Sequence, residues 1–154
     1  MAMQAIIHCG PISRASISKQ TGLSKQTVSE LVRILEEEGW VRETGRTSGH
    51  VGRTATTYEL VPDSAFMAAV DLGGTKLRVA IVDLAGSVIA EVVAPTHAEG
   101  GQAVAGQIGD LVGVALAEQG LDRSKLLQTV VGCPGVPDQA TGAVRYAPNI
   151  AGID

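Results

Sequence analysis

The sequence of 154 residues predicts a protein of mixed α+β and α/β class with two small domains, and three observations indicate this division. Residues 11–60 contain two helices with capping signals, the second of them amphipathic, followed by two short strands. A breaker cluster at residues 62–64 (PDS) comes next. After it, apolar β-branched runs alternate with glycine-rich turns. We therefore expect one domain over residues 1–62 and a second over residues 63–154.

The first helix of the N-terminal domain is bounded by residues that favour a start and a stop. Ser13 is a good N-cap, and the helix that it begins is expected to run through Gln20. Gly22 then provides a residue that tolerates a left-handed backbone. A sharp turn is therefore expected between this helix and the next.

The second helix is predicted to begin after Ser24, which can cap it, and to stop at Gly39. Its apolar residues recur at steps of three and four, so they share one face: Val28, Leu31, Val32 and Leu35. Two strands, residues 40–43 and 55–60, flank a loop of residues 44–54 that contains three glycines. This order predicts a winged helix-turn-helix with the loop as its wing.

The opposite face of the second helix carries hydrogen-bond donors and acceptors, which is the chemistry of a helix that reads the major groove. Such a helix inserts its N-terminal turn, so Gln26 is suited to bind a phosphate or to read adenine. In the wing, Arg53 is a candidate for insertion into a narrow minor groove, with Arg46 a weaker second. The predicted DNA-binding residues are Ser24, Lys25, Gln26, Thr27, Ser29, Arg33 and Arg53.

The charge distribution supports a nucleic-acid interface in the first domain only. The net charge is −4, but residues 1–62 carry seven Lys/Arg against six Asp/Glu, whereas residues 63–154 carry five against ten. Any DNA contact is therefore expected in the first domain. The alternative is a small helical domain for protein contacts, in which residues 36–38 (EEE) form a solvated acidic end.

Composition indicates a packed protein, since hydrophobic residues make up 45% and charged residues 18% of the chain. The apolar residues 5–9 are too few to span a membrane and lack the flanks of a signal peptide, so we expect a cytoplasmic protein without membrane contact. Cys9 and Cys133 fall in different domains without partners at metal-ligand spacing. We interpret both as small buried hydrophobic residues.

The second domain is predicted to begin with three antiparallel strands, at residues 66–72, 77–84 and 87–94. A helix follows, whose apolar face is formed by Val104, Ile108, Leu111, Val112 and Ala115. Residues 129–132 then predict a buried strand that returns beside the first one. Residues 133–142 are rich in proline and glycine and predict a loop.

The turn at residues 71–76 (DLGGTK) joins the first two of these strands and is a candidate phosphate site. The amides of Gly73, Gly74 and Thr75 are able to point together at a phosphate, and Asp71 is suited to orient Mg²⁺ or water. The alternative is a plain hairpin, because Gly-Gly is a favoured two-residue turn. The predicted phosphate-binding residues are Asp71, Gly73, Gly74, Thr75 and Lys76.

Several of these segments resemble one known family. Residues 10–14 (GPISR), 21–29 (TGLSKQTVS), 39–41 (GWV) and 52–53 (GR) are similar to the winged helix of ROK (repressor, open reading frame, kinase) regulators. Residues 132–138 (GCPGVPD), 141–144 (TGAV) and 147–149 (APN) are similar to ROK sugar kinases and repressors. The chain departs from the family at Gln26, where proline is frequent, and at Glu30, where arginine is frequent.

The resemblance implies that the second domain is part of a ribonuclease-H-like, actin-type ATPase fold, with Asn149 as a partner of a sugar hydroxyl. It also implies that the catalytic aspartate, the family's zinc site and the other sugar ligands lie beyond Asp154. We therefore expect a truncated sensor domain with no cofactor of its own and no enzymatic activity.

The function that this implies is a dimeric DNA-binding regulator, a repressor of carbohydrate genes, with a double-stranded operator and a sugar or sugar-phosphate effector as partners. The alternative is a ROK sugar kinase that transfers phosphate from ATP to a hexose, which leaves residues 1–62 without a purpose. Another interpretation, compatible with the first, is an incomplete product with an unstable sensor remnant.

Overall fold

The computed structural model describes residues 1–47, 55–138, 140–141 and 144–145. The chain divides into two compact units, Met1–Ser64 and Ala65–Asp154. The division falls at the end of the breaker cluster that the sequence places between the two domains.

In the described residues of the first unit, the elements are α1 (Ala2–Cys9), β1 (Ile12–Ser13), α2 (Arg14–Thr21), α3 (Lys25–Glu37), β2 (Val41–Thr47) and β3 (Ala55–Leu60). The strands form an antiparallel sheet in the order β1-β3-β2. A 3₁₀ turn, Pro62–Ser64, follows the sheet.

The two predicted helices α2 and α3 are confirmed, together with the residues that begin them. The Ser13 Oγ accepts a hydrogen bond of 3.2 Å from the Ser16 amide, and the Ser24 Oγ accepts one of 3.1 Å from the Thr27 amide. Gly22 ends α2 with φ +72°, a left-handed conformation that glycine adopts without steric penalty. Local capping chemistry therefore sets the turn between the helices.

The core of the first unit lies between α2, α3 and the sheet. Ile17, Val28 and Val32 are fully buried there, whereas Leu31 and Leu35 of the predicted apolar face are only partly buried against the same cluster. Ile6 of α1 joins this cluster, although the sequence interpretation begins its pattern of elements only at Pro11. Cys9 is exposed at the end of α1, so its interpretation as a buried residue is wrong.

Strand β2 is longer than expected, because it runs from Val41 to Thr47 rather than over residues 40–43. Its pairing with β3 shifts between Glu43 and Gly45, which is the irregularity of a β-bulge. The Thr44 hydroxyl lies 3.2 Å from the Thr57 hydroxyl and helps to hold the bulge. Arg46 consequently lies in the β2–β3 ladder, opposite Thr56, and not in the wing loop.

In the described residues of the second unit, the elements are β4 (Phe66–Leu72), β5 (Lys76–Asp83), β6 (Val88–Pro95), α4 (Gly101–Glu118), β7 (Leu126–Gly132), β8 (Val136–Pro137) and β9 (Val144–Arg145). Strands β4 to β7 form a sheet in the order β6-β5-β4-β7, with β7 parallel to β4 and the other pairs antiparallel. A two-stranded ladder, β8 with β9, lies partly within the segment predicted as a loop.

One face of this sheet packs against α4 and forms the second core. Leu77, Val79 and Ile81 of β5 are fully buried, in a cluster that also includes Val104 and Val112 of the helix. Strand β7 pairs with β4 as predicted, but it is not buried. Val130 is 54% exposed and Val131 42% exposed, because β7 is the edge strand in the described part of this sheet.

We expect the Gly109→Ala variant to raise the free energy of unfolding of the second unit by about 0.5–1 kcal/mol. Gly109 is an exposed residue within α4, and a Cβ there meets no atom within 4 Å. Hydrogen exchange of α4 in the full chain would measure the gain. Gly120→Ala, just beyond the C-terminal end of α4, is the matched comparison and should destabilise, because Gly120 has a positive φ. Reduced protection of α4 in Gly109→Ala would contradict the expectation.

Candidate functional site

The exposed side of α3 carries a row of polar side chains that we call the polar stripe. It consists of Gln26, Glu30, Arg33 and Glu37, which follow one another at intervals of four, three and four residues and are all exposed. The stripe lies opposite Val28 and Val32, which face the core. The face predicted to meet DNA is therefore open to solvent.

The first turn of α3 presents the remaining predicted contacts. Ser24, Lys25, Thr27 and Ser29 are all exposed. The hydroxyls of Ser24 and Thr27 lie 2.8 Å apart and hydrogen-bond to each other while Ser24 caps the helix. Within the described residues Lys25 has no carboxylate partner, which leaves its ammonium group available to a phosphate.

The prediction for Arg33 needs a correction, because its guanidinium is already paired. Arg33 Nη2 lies 2.6 Å from Glu30 Oε1, and Nη1 lies 2.6 Å and 2.7 Å from the two oxygens of Glu37. The hydrogen bond to Glu30 raises the pKa of Arg33 most, and the hydrogen bond to Glu37 raises it further. The bond between Arg33 and Glu30 also lowers the pKa of Glu30. Arg33 is therefore not a free donor for a phosphate.

A cation that the sequence interpretation missed lies at the start of α2. The Arg14 guanidinium carbon is 4.9 Å from the centre of the Tyr58 ring, a cation–π distance. Its Nε is buried without a hydrogen-bond partner among the described residues. Burial raises the pKa of Tyr58, so the phenol beside this cation stays neutral. The signal was available, because the Ser13 cap places Arg14 at a helix N-terminus, where anions bind.

The strands that flank the predicted wing hold one of their arginines in an ion pair. Arg42 of β2 is paired with Glu59 of β3 at 2.8 Å, so its charge is already balanced. Arg53, the predicted minor-groove contact, lies outside the described residues.

In the second unit, a cleft of about 500 Å³ opens where the parallel strands β4 and β7 end. Ligands in open α/β sheets bind at the carboxyl ends of parallel strands, which is where this cleft lies. Two segments line it, from the ends of β4 and β7 respectively: Asp71, Leu72, Gly73, Gly74 and Gly132, Cys133, Pro134. Asp71 and Gly132 are neighbours in the ladder.

The turn beside the cleft is a closed hairpin. The Gly73 amide donates a 2.9 Å hydrogen bond to the Lys76 carbonyl, so it is not available to a phosphate as predicted. Only the Gly74 and Thr75 amides remain of the three that were expected to act together. Lys76 is exposed at the start of β5 and does not line the cleft.

Thr96 holds this turn from outside, a role that no local sequence signal indicates. Its Oγ1 donates a 2.7 Å hydrogen bond to the Gly73 carbonyl, and its amide donates one of 3.1 Å to the Thr75 carbonyl. Gln107 of α4 holds both neighbours of Thr96, accepting from the His97 amide at 3.0 Å and donating to the Pro95 carbonyl at 2.8 Å. These bonds connect the cleft to α4.

Some expectations for ligands are not reached by the described residues. Asn149, the predicted sugar contact, lies outside them. Among the residues that are described, no three His, Cys, Asp or Glu side chains come together as metal ligands would, and no helix has the length and apolar composition of a membrane span. Cys133 is a free cysteine that is partly buried against the core of the second unit.

Comparison with known proteins agrees with both units. Residues 2–42 match the family described as winged helix-turn-helix DNA-binding. A solved ROK family transcriptional regulator, described as a homologue of the Escherichia coli MLC protein, shares the fold over 97% of this chain and 38% of its own, with a TM-score of 0.75 and 22% identity. The fold expected from the resemblance to ROK regulators is thus confirmed for this chain.

Two further relatives bear on function. The xylose repressor of Caldicellulosiruptor bescii is 28% identical over 97% of this chain, which spans 38% of the length of that protein. The ROK hexokinase of Thermus thermophilus is 32% identical over 58% of this chain and 28% of its own, with a TM-score of 0.51. A repressor and a sugar kinase therefore both share sequence with this chain.

Proposed function

We propose that this chain is a regulator of the ROK family that binds DNA sequence-specifically, a repressor of carbohydrate-metabolism genes that acts in the cytoplasm as a homodimer. The observation that carries the proposal is α3, which is capped at Ser24 and presents an exposed polar stripe opposite a buried apolar face. A winged helix-turn-helix inserts such a helix into the major groove. The name of the similar xylose repressor supports the same function.

Different residues of the first unit would bind the DNA backbone and the bases. Arg33 and Arg42 are balanced by glutamates, so Arg14 and Lys25 are the described cations best placed to bind phosphates. Phosphate contacts orient a protein on the duplex, and base edges supply specificity. Gln26, together with Arg53 in the wing, would then supply base and groove contacts.

The effector would bind in the cleft of the second unit. Its Gly74 amide and the neighbouring Asp71 carboxylate offer one donor and one acceptor group to a sugar or sugar phosphate. Asn149 would add a further contact with a sugar hydroxyl. This function uses no cofactor of the chain's own, and the family's zinc site would not be formed by these residues.

The second candidate function is a sugar kinase, which similarity to the hexokinase favours. Phosphoryl transfer needs a base near the attacking hydroxyl and a site that closes over ATP. Asp71 is the one carboxylate that lines the described cleft. Its predicted role is to orient Mg²⁺ or water at a phosphate, and that role is not the role of the base. ATP turnover by the pure chain with any hexose or amino sugar would favour the kinase.

Selection from a random duplex library with the full chain tests the leading function. We expect enrichment of a site with two inverted half-sites about one helical turn apart or a multiple of it, as a homodimer requires. Sugars and sugar phosphates would then be titrated against the selected duplex, and one of them should change its affinity. A library that stays random after repeated selection would overturn the proposal.

Gln26→Ala should weaken binding to the selected site by about 1–3 kcal/mol, because it removes an exposed amide that can bond a base in two places. Fluorescence anisotropy at fixed salt would measure the change. Gln102→Ala, which removes the same group from α4 in the second unit, is the control and should bind as the unmodified chain does. Equal affinities of the two variants for every duplex would contradict the assignment.

A further inference from the structure

We infer that Glu30 reads a base, accepting a hydrogen bond from the exocyclic amino group of a cytosine in the major groove. The inference rests on the proposed function, since it needs α3 to enter that groove. It assigns to Glu30 a contact that sets base preference, and to Arg33 the role of a positioning residue.

The position of Glu30 in the polar stripe supports this contact. Glu30 follows Gln26 by four residues on the exposed side of α3, and its side chain is 60% exposed. A separation of four residues corresponds to about 6 Å along the helix axis. Base pairs are stacked about 3.4 Å apart, so residues separated by one turn reach bases about two pairs apart. Gln26 and Glu30 therefore address different bases of one half-site.

The carboxylate of Glu30 is held in one orientation by Arg33. Arg33 Nη2 and Nε lie 2.6 Å and 3.4 Å from its two oxygens, while Glu37 holds the same guanidinium from the next turn. A carboxylate offers about four acceptor positions, so two remain after Arg33 has bound. Because the Glu30 side chain is 60% exposed, the two remaining positions are accessible to a partner in solution.

The chemistry of a carboxylate selects among the four bases. An ionised carboxylate only accepts hydrogen bonds, whereas guanine presents two acceptors in the major groove and thymine presents one. Adenine presents its N6 amino donor beside the N7 acceptor, and N7 would repel the second oxygen of the Glu30 carboxylate. Cytosine presents its N4 amino group alone. Glu30 should therefore favour a cytosine, and its charge should lower affinity for duplexes that lack one there.

The test is the same random-library selection, performed with the full chain and with Glu30→Gln. We expect a cytosine at one position of each half-site for the unmodified chain, preferred at least about fivefold over other bases. Glu30→Gln should lose that preference, because glutamine carries a donor as well as an acceptor, and should bind unrelated duplex more tightly. Glu30→Asp, which keeps an acceptor-only group, should retain part of it.

Two further variants separate base recognition from charge. Glu36→Gln removes the same charge from an exposed position of α3 outside the polar stripe and should leave the selected site unchanged. Arg33→Gln should weaken the cytosine preference but not the preference at the base read by Gln26. A selected site that Glu30→Gln leaves unchanged overturns this inference alone. Failure of the unmodified chain to select any site overturns the proposed function itself.

Discussion

Ile17→Ala is expected to lower the free energy of unfolding of the first unit by about 2–5 kcal/mol, the range for large-to-small changes in a core. Ile17 is completely buried between α2 and the rest of the unit, together with Val28 and Val32. Domains have total stabilities of about 5–15 kcal/mol, so this loss is a large fraction. DNA affinity at 37 °C should fall with it, although Ile17 is too deeply buried to touch DNA.

Urea unfolding followed by Trp40 fluorescence would measure this change, because the sole tryptophan packs against the same core. Ile34→Ala is the matched control. It makes the same substitution in α3 at a side chain that is 37% exposed, and it should change stability by no more than about 0.5 kcal/mol. Similar urea midpoints for the two variants would show that the assigned core is wrong.

Leu77→Ala should destabilise the second unit by a similar amount, about 2–5 kcal/mol. Leu77 begins the buried row of β5 and contributes to the core that α4 covers. It also follows the hairpin at the cleft, so the turn that holds Gly73 should lose part of its support. Hydrogen exchange of peptides from β4 and β5 in the full chain would report the loss of protection.

Leu127→Ala provides the comparison for that experiment. Leu127 lies on β7 and is 56% exposed, so the same substitution removes little buried surface there. Protection of β4 and β5 should therefore remain close to that of the unmodified chain. If Leu127→Ala exposed these strands as much as Leu77→Ala did, β7 would have to be packed more tightly than its exposure indicates.

The helix-turn-helix was predictable because its signals are local. Ser13, Ser24 and Gly22 act within one helical turn of their own position, and the structure uses each of them as expected. The strands β4, β5 and β6 were equally accessible, since alternation and turn residues are read within a few positions. The order of these elements could therefore be derived from the chain alone, whereas α1, β1 and the β8–β9 ladder were not predicted.

The features that the sequence did not reveal depend on residues distant in sequence, or on nearby residues that bind a side chain predicted to contact DNA. The exposure of β7 follows from its place at the sheet edge, which its apolar residues do not reveal. Thr96 reaches a carbonyl 23 residues away. Arg33 is different, because its spacing to Glu30 and Glu37 is that of helical ion pairs. Its charge alone predicts a contact with DNA, but the ion pairs within α3 occupy its guanidinium.

The hydrogen bonds that Thr96 makes to the hairpin have a thermodynamic consequence for ligand binding. A loop that becomes ordered only when a ligand arrives must lose conformational entropy at that moment, which weakens the complex. Here the turn is already closed by Gly73 and fastened through Thr96 and Gln107 to α4. The entropy of ordering this turn is lost during folding, so a small molecule that bound in the cleft would meet a rigid wall, and more of its contact energy would remain as affinity.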